Sequence, residues 1–239
     1  MDAAPSVPAP VVAVAAHAAD MEFSAGLVLA KYAAAGHPVT IVHLTLGEKG
    51  HARLSAEGYG AQKRAEAAAA ASALGCQARF LDYRDAELPA DDAVKLGVAD
   101  ILRELRPRVL IAHWRGSIHR DHTRAHEITV EARFLAGLGR LDRPRPAVWV
   151  DHLLFAENWE DMEGYRPDVS VDVSDVFDTW LRACACYEIF RDPGAGGFRY
   201  RDYYVALATM RGCLARFPRA CTLMRPDADL ATRTAGLPG

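Results

Sequence analysis

This chain lacks the marks of a disulfide-built protein. Its 239 residues include five cysteines, Cys76, Cys184, Cys186, Cys213 and Cys221, an odd number with no CxxC pair. That usage points to a reduced, cytoplasmic setting, and Cys184 and Cys186, in an apolar helical pattern, read as core or interface residues. Positive charge is not in excess either. The 28 Lys and Arg face 31 Asp and Glu for a net charge of −3, which leaves no basic footprint for nucleic acid. No apolar run approaches the ~20 residues that span a bilayer. The opening MDAAPSVPAP has no charged n-region, and the VVAVAA after it is too short for the core of a signal peptide. Nucleic-acid and membrane partners are therefore not expected. A small-molecule substrate is, handled by a monomer or a homo-oligomer.

What remains is the composition of a globular protein, 51% hydrophobic and 25% charged, long enough to bury a core without staples. Residues 1–10 and 223–239 are rich in Pro, Ala and polar residues and read as mobile ends around one domain, 11–222. The wholly apolar run Val11–Ala16 reads as a strand buried on both faces. A helix is expected from Met21 to Ala35, closed by Gly36, then a strand at Val39–Leu44. The glycine-rich stretch 47–60 reads as a loop. A helix over Gln62–Leu74 ends at Gly75. Further strands are expected at Ala78–Leu81, Val109–Ala112, Ala147–Val150 and Val169–Val173, with helices at Ala93–Leu105, His122–Ala136, Asp175–Phe190 and Asp202–Arg216. This alternation predicts an α/β domain with a mostly parallel sheet and helices on both faces. Ligands bind such sheets outside the carboxyl ends of the strands, so polar residues just after a buried strand are the ones to weigh.

Two segments meet that condition. His17 follows the first strand, and Asp20 lies three residues on at the start of a helix, where the helix dipole favours an anion. The pair can converge on one ion, although a capping aspartate beside a packed histidine explains the same letters. After Val109–Ala112 come His113, His119, His122 and His126, four of the nine histidines in fourteen residues. Spacings of three and four let helical neighbours share a site, and zinc takes N and O donors from several elements, with an open position where it is catalytic. Asp121 is placed to orient an imidazole. The competing reading is a helix start with incidental surface histidines; His126 reads as structural.

The segments His17-Ala18-Ala19-Asp20-Met21-Glu22 and His119-Arg120-Asp121-His122 resemble the His-Pro-Asp-Asp-x-Glu and His-Pro-Asp-His motifs of the PIG-L / LmbE-like zinc-dependent N-acetylglucosaminyl deacetylases, in order, spacing and strand-end placement. Softer likenesses are Gly47-Glu48-Lys49-Gly50, Lys63-Arg64-Ala65-Glu66 and Asp85-Ala86-Glu87-Leu88; the resemblance spans residues 11–190. It implies a Rossmann-like fold and a zinc ion held by His17, Asp20 and His122. It also implies that His119 stabilises an oxyanion or donates a proton, with Asp121 as its carboxylate partner. The function implied is removal of an acyl group, acetyl above all, from an amide of an amino-sugar-like molecule by a zinc-activated water.

The resemblance breaks where the family has its usual general base, because position 19 is alanine. The family's C-terminal histidine also has no counterpart, and Tyr187 lies near its place. Members with a small residue at position 19 resemble 4-oxalomesaconate hydratases, which makes hydration of an unsaturated carboxylate the alternative; an inactive metal-binding homologue is a third. Glu48 is the candidate replacement base, because its loop follows the second strand. Arg115, Lys63 and Arg64 are candidates for binding an anionic or sugar group. Glu157-Asn158-Trp159-Glu160-Asp161 suits a substrate-binding loop or a surface loop equally.

Overall fold

Local sequence sets most of the elements. The computed structural model describes residues 8–192 and 197–226. The strands are β1 Val11–Ala15, β2 Val39–His43, β3 Gln77–Phe80, β4 Val109–Ala112, β5 His152–Ala156, β6 Val169–Asp172 and β7 Ala220–Met224. They form one sheet in the order β3-β2-β1-β4-β5-β7-β6. β1 to β5 run parallel, and β7 is antiparallel to both β5 and β6. The single α/β domain expected from the alternation is the one observed. Alternate residues of β1 feed two cores: Val11, Ala13 and Ala15 face one, Val12 and Val14 the other. α1 (Asp20–Ser24), α2 (Gly26–Ala34), α3 (Ala56–Leu74), α6 (Phe177–Cys184), α7 (Glu188–Arg191) and α8 (Tyr200–Ala215) cover the first face. α4 (Asp92–Leu105) and α5 (Arg120–Gly137) cover the second. Strand order reverses beside β1, between β2 and β4, which opens the crevice where doubly wound sheets bind ligands.

Several expected boundaries move, each for a local reason. The helix expected over Met21–Ala35 is broken at Ala25. Gly26 follows because a Cβ there would lie 2.9 Å from Trp180 Cδ1, and a small residue at a tight crossing is a common cause of a kink. The helix expected over Asp175–Phe190 is also two pieces, because Tyr187 leaves helical geometry and sends its hydroxyl to Glu22 Oε1 at 2.7 Å. α3 starts six residues early, capped by Ser55 Oγ accepting from Gly58 N–H, so the expected 47–60 loop is shorter. The strand expected at Ala147–Val150 is not one. Val148 N–H donates to Ala136 O at the end of α5, and the ladder partner of β4 is β5. The tail expected from 223 starts too early, since Leu223 and Met224 belong to buried β7. At the other end Ala9 N–H donates to His37 Nδ1 and Pro10 O accepts from Arg108 N–H. Of the mobile ends expected at 1–10 and 223–239, residues 1–7 and 227–239 lie outside the described residues.

Among the described residues no helix is long and apolar enough to cross a membrane. The cysteines are free. Trp180 is wholly buried and donates Nε1–H to Glu22 O at 2.9 Å, which ties α6 to α1, the helix that carries Asp20. Trp180→Ala should cost ~3–5 kcal/mol, in the range for deleting a buried aromatic. The midpoint of urea unfolding checks this; a shift worth under ~1 kcal/mol would mean α6 does not support α1.

Candidate metal centre

The chain leaves β1 through a turn that places Ala19 at φ 95°, in the left-handed region that residues other than glycine avoid. The turn is closed by His17 N–H donating to Asp20 Oδ2 at 2.7 Å. After β2 the backbone passes His17 at Gly47. Its φ is +70°, and a Cβ there would lie 3.2 Å from His17 Cβ, so glycine is strongly favoured. β4 ends at Ala112 and delivers His113. α5 then begins with His119 as its cap, Nδ1 accepting from Asp121 N–H at 3.2 Å, and so puts Asp121 and His122, both buried, in its first turn.

The two strand ends bring three donor atoms into a near-equilateral triangle. His17 Nδ1 lies 3.2 Å from Asp20 Oδ2, and His122 Nε2 lies 3.3 Å from each of them. A tetrahedral ion with bonds of about 2.1 Å holds its donors about 3.4 Å apart, so the triangle has the size of a metal site. Acceptors stand behind each ring. His17 Nε2 sits between Asp85 Oδ1 at 3.2 Å and Asp121 Oδ2 at 3.4 Å, and His122 Nδ1 lies 2.9 Å from Glu160 Oε2. Such acceptors fix which ring nitrogen is left to ligate. His113 Nε2 also comes within 3.3 Å of Asp20 Oδ2, but it accepts Ala16 N–H at 3.0 Å, so its lone pair is engaged. His126 donates to His113 O at 2.9 Å and packs on Trp114 and Phe155, a structural role as expected.

The electrostatics are those of a cation cradle. Burial opposes charge on His17, yet Asp20, Asp121 and Asp85 raise its pKa well above the ordinary value. Burial likewise opposes the charge of Asp20, and His122 and His17 hold its pKa well below the carboxylate range. His122, also opposed by burial, is raised to about 9 by Asp20 and Glu160. His113 is pushed down to about 4 by burial and by His122. Burial, then His17 and His122, lower His119.

A cleft of about 180 Å³ opens over the triangle, and His119, Lys63, Asp85, Asn158, Trp159 and Glu160 line it. Lys63 is therefore where the sequence reading put it. Arg64 and Arg115 are not: Arg64 pairs with Asp82 at 2.9 Å and covers Phe80, and Arg115 is exposed over Trp114. Glu48, expected to face the metal, instead accepts Asp85 N–H at 2.9 Å and supports that turn from outside the cleft. Asp121 is a correction of another kind. Its carboxylate accepts Ala86 N–H at 2.7 Å and backs His17, while only its backbone N–H reaches His119. Asp85 stands in the sequence reading only in a softer motif likeness and Glu160 only in a loop suited equally to substrate or surface, and the tyrosines of the cleft, Tyr59, Tyr200 and Tyr204, carry no sequence signal. Glu160 follows the carboxyl end of β5, so the strand-end rule would have found it had that strand been placed correctly.

His17→Ala, Asp20→Ala and His122→Ala should each abolish binding of Zn2+, while His126→Ala should leave it largely intact. Metal content after dialysis against Zn2+ checks this. Equal loss in His122→Ala and His126→Ala would mean the ligand set is misassigned.

Comparison with known proteins places this geometry. Over 216 residues the chain is 29% identical to a 4-oxalmesaconate hydratase of Pseudomonas putida, covering 85% of this chain and 80% of that one. It is 36% identical over 147 residues to a 1D-myo-inositol 2-acetamido-2-deoxy-alpha-D-glucopyranoside deacetylase of Acidothermus cellulolyticus, covering 49% of this chain and half the length of that relative. The crystal structure of the 4-carboxy-2-hydroxymuconate hydratase of Pseudomonas putida superposes with a TM-score of 0.84 at 24% identity, over 97% of this chain and all of that one, which shows the shared fold. Residues 12–133, which hold both strand ends and all three atoms of the triangle, match the model of the GlcNAc-PI de-N-acetylase family, PIG-L, and the chain belongs to that family.

Proposed function

We propose that the protein is a zinc-dependent hydratase that adds water across an activated carbon–carbon double bond of a small carboxylated substrate. The observation that carries this reading is Ala19. Hydrolysis of an amide in this family resemblance relies on a carboxylate at that position, and a methyl group cannot take a proton. The carboxylates that do line the cleft are engaged: Asp20 in the triangle, Asp85 on His17 Nε2 and Lys49 N–H, and Glu160 on His122. A relative that matches 85% of this chain is a hydratase.

The cleft also suits an anion. Lys63 is 3% exposed and packs over the rings of Tyr187 and Tyr59, with no hydrogen bond or ion pair to its ammonium among the described residues. Burial lowers its pKa, against the pull of Asp20, Glu66, Glu22 and Asp85. A substrate carboxylate beside Lys63 would relieve that cost, and a hydrogen bond to a charged group contributes about 1.5–3 kcal/mol. A neutral amino sugar would not.

A zinc ion held by His17, Asp20 and His122 would lower the pKa of a water in the cleft toward neutrality. The rest is done by side chains. Lys63 anchors the carboxylate and so orients the double bond. His119 accepts from Asp121 N–H through Nδ1, so its neutral ring carries its proton on Nε2. The lowered pKa favours that neutral form, which leaves an N–H donor for an oxygen that gains charge as water adds. The hydroxyl goes to one alkene carbon and a proton to the other. Deacetylation is the second reading, favoured by the family and by the 36% identity to the deacetylase relative.

The deciding assay compares loss of ultraviolet absorbance from unsaturated di- and tricarboxylates with amine release from N-acetylated amino sugars. The wild type should hydrate and release no amine. Lys63→Met should raise KM about 10-fold or more, the loss expected for one charged hydrogen bond. Ala19→Asp should depress hydration by bringing a like charge toward the substrate. Amine release by the wild type, increased by Ala19→Asp within the 10²–10⁴-fold range of a general base, would establish the deacetylase instead.

A further inference from the structure

We infer that Glu160 is a positioning residue for the metal centre, and that it couples the 157–161 loop to the ion. His122 Nδ1 meets three groups on the side away from the triangle: Glu160 Oε2 at 2.9 Å, Ser117 Oγ at 3.2 Å and Asn158 Nδ2 at 3.5 Å. Glu160 alone of these is charged, and its side chain is 14% exposed against 3% for His122. A carboxylate behind a ligating imidazole fixes the tautomer, strengthens the ring as a donor and, when removed, typically costs 10–100-fold in metal affinity. Glu160 is held by its own loop. Its carbonyl accepts Ile118 N–H at 3.0 Å, its N–H donates to Asn158 Oδ1, and Asn158 Oδ1 also accepts from Tyr204 OH. Asp161 pairs with Ser117, which itself reaches His122. The loop that roofs the cleft therefore reaches the metal position through one ring. Whatever fixes His122 fixes the roof, and by reciprocity an ordered roof favours the ion.

This inference rests on the metal centre but not on the reaction, so it is tested by binding. Zn2+ affinity of the full chain is measured by competition with a chromophoric chelator, alongside the d–d absorption of the Co2+ form and the Tm of the metal-free protein. Glu160→Gln, which keeps an acceptor but loses the charge, should weaken Zn2+ binding several-fold. Glu160→Ala should weaken it about 10–100-fold and alter the Co2+ spectrum, with the metal-free Tm unchanged in both. Added Zn2+ should protect the amides of 157–161 from hydrogen exchange in the wild type and not in Glu160→Ala. Affinities within twofold of wild type and an unaltered Co2+ spectrum would overturn the assignment. A fall in metal-free Tm that accounts for the lost affinity would also overturn it. Failure of the wild type to bind Zn2+ would remove the metal centre itself, a result distinct from either.

Discussion

Asp20 Oδ2 is a part-buried anionic oxygen with four nitrogen atoms around it: the N–H of His17 at 2.7 Å, and one ring nitrogen each of His17, His113 and His122 at 3.2–3.3 Å. Those nitrogens come from the ends of β1 and β4 and from the first turn of α5, so a single atom ties together the elements on both sides of the crevice. Isolated charge at such depth is costly unless paired. The fold meets that demand with the His17 N–H and with the His17 and His122 rings, and a cation at the centre of the triangle meets it more fully.

The second ring of carboxylates follows from the first. Asp85, Asp121 and Glu160 add negative charge to a site that already holds Asp20, which would be unfavourable around neutral histidines alone. Asp121 Oδ1 is buried with no hydrogen-bond partner. Groups so arranged raise the affinity of His17 and His122 for positive charge, whether a proton or a metal ion. The two rings can carry one or the other on the triangle side, so the same carboxylates that raise their pKa also strengthen them as ligands once deprotonated. Lys63, over the aromatic rings of Tyr59 and Tyr187 and within the pull of Asp20 and Asp85, places a cation in the lining of the same cleft.

The parallel core was legible in the sequence because it rests on local signals, while the choice of His17, Asp20 and His122 among the strand-end residues came from the motif resemblance. Apolar strands followed by His17 and His122 can be read in one dimension, and β4 fell on its expected residues. Long-range packing was not legible. The kink before Gly26 depends on Trp180, more than 150 residues away, and the end of α6 depends on the reach of Tyr187 to Glu22. Pro146 to Val150 has an apolar pattern as good as β5, but Val148 spends its N–H on the end of α5 and Trp149 is 61% exposed. With that strand misplaced, the 157–161 loop no longer followed a strand end, and the place of Glu160 beside His122 was not legible. The roles of Glu48 and Asp121 depended on which way a side chain turns from a known position, which spacing does not encode.

Ala19 then has two meanings rather than one. Its φ of 95° places an ordinary residue where glycine, and to a lesser extent asparagine and aspartate, are tolerated. Aspartate, the residue of the family motif, eases that strain through local hydrogen bonds, whereas alanine bears a cost of about 1–2 kcal/mol without them. The chain keeps the strained turn although the side chain that would benefit from it as a base is gone. What the turn still achieves is to aim His17 and Asp20 at one point. The turn geometry thus serves the convergence of His17 and Asp20, whichever side chain stands at position 19. In the proposed hydration, a methyl group there would leave room and neutrality for a carboxylated substrate anchored on Lys63.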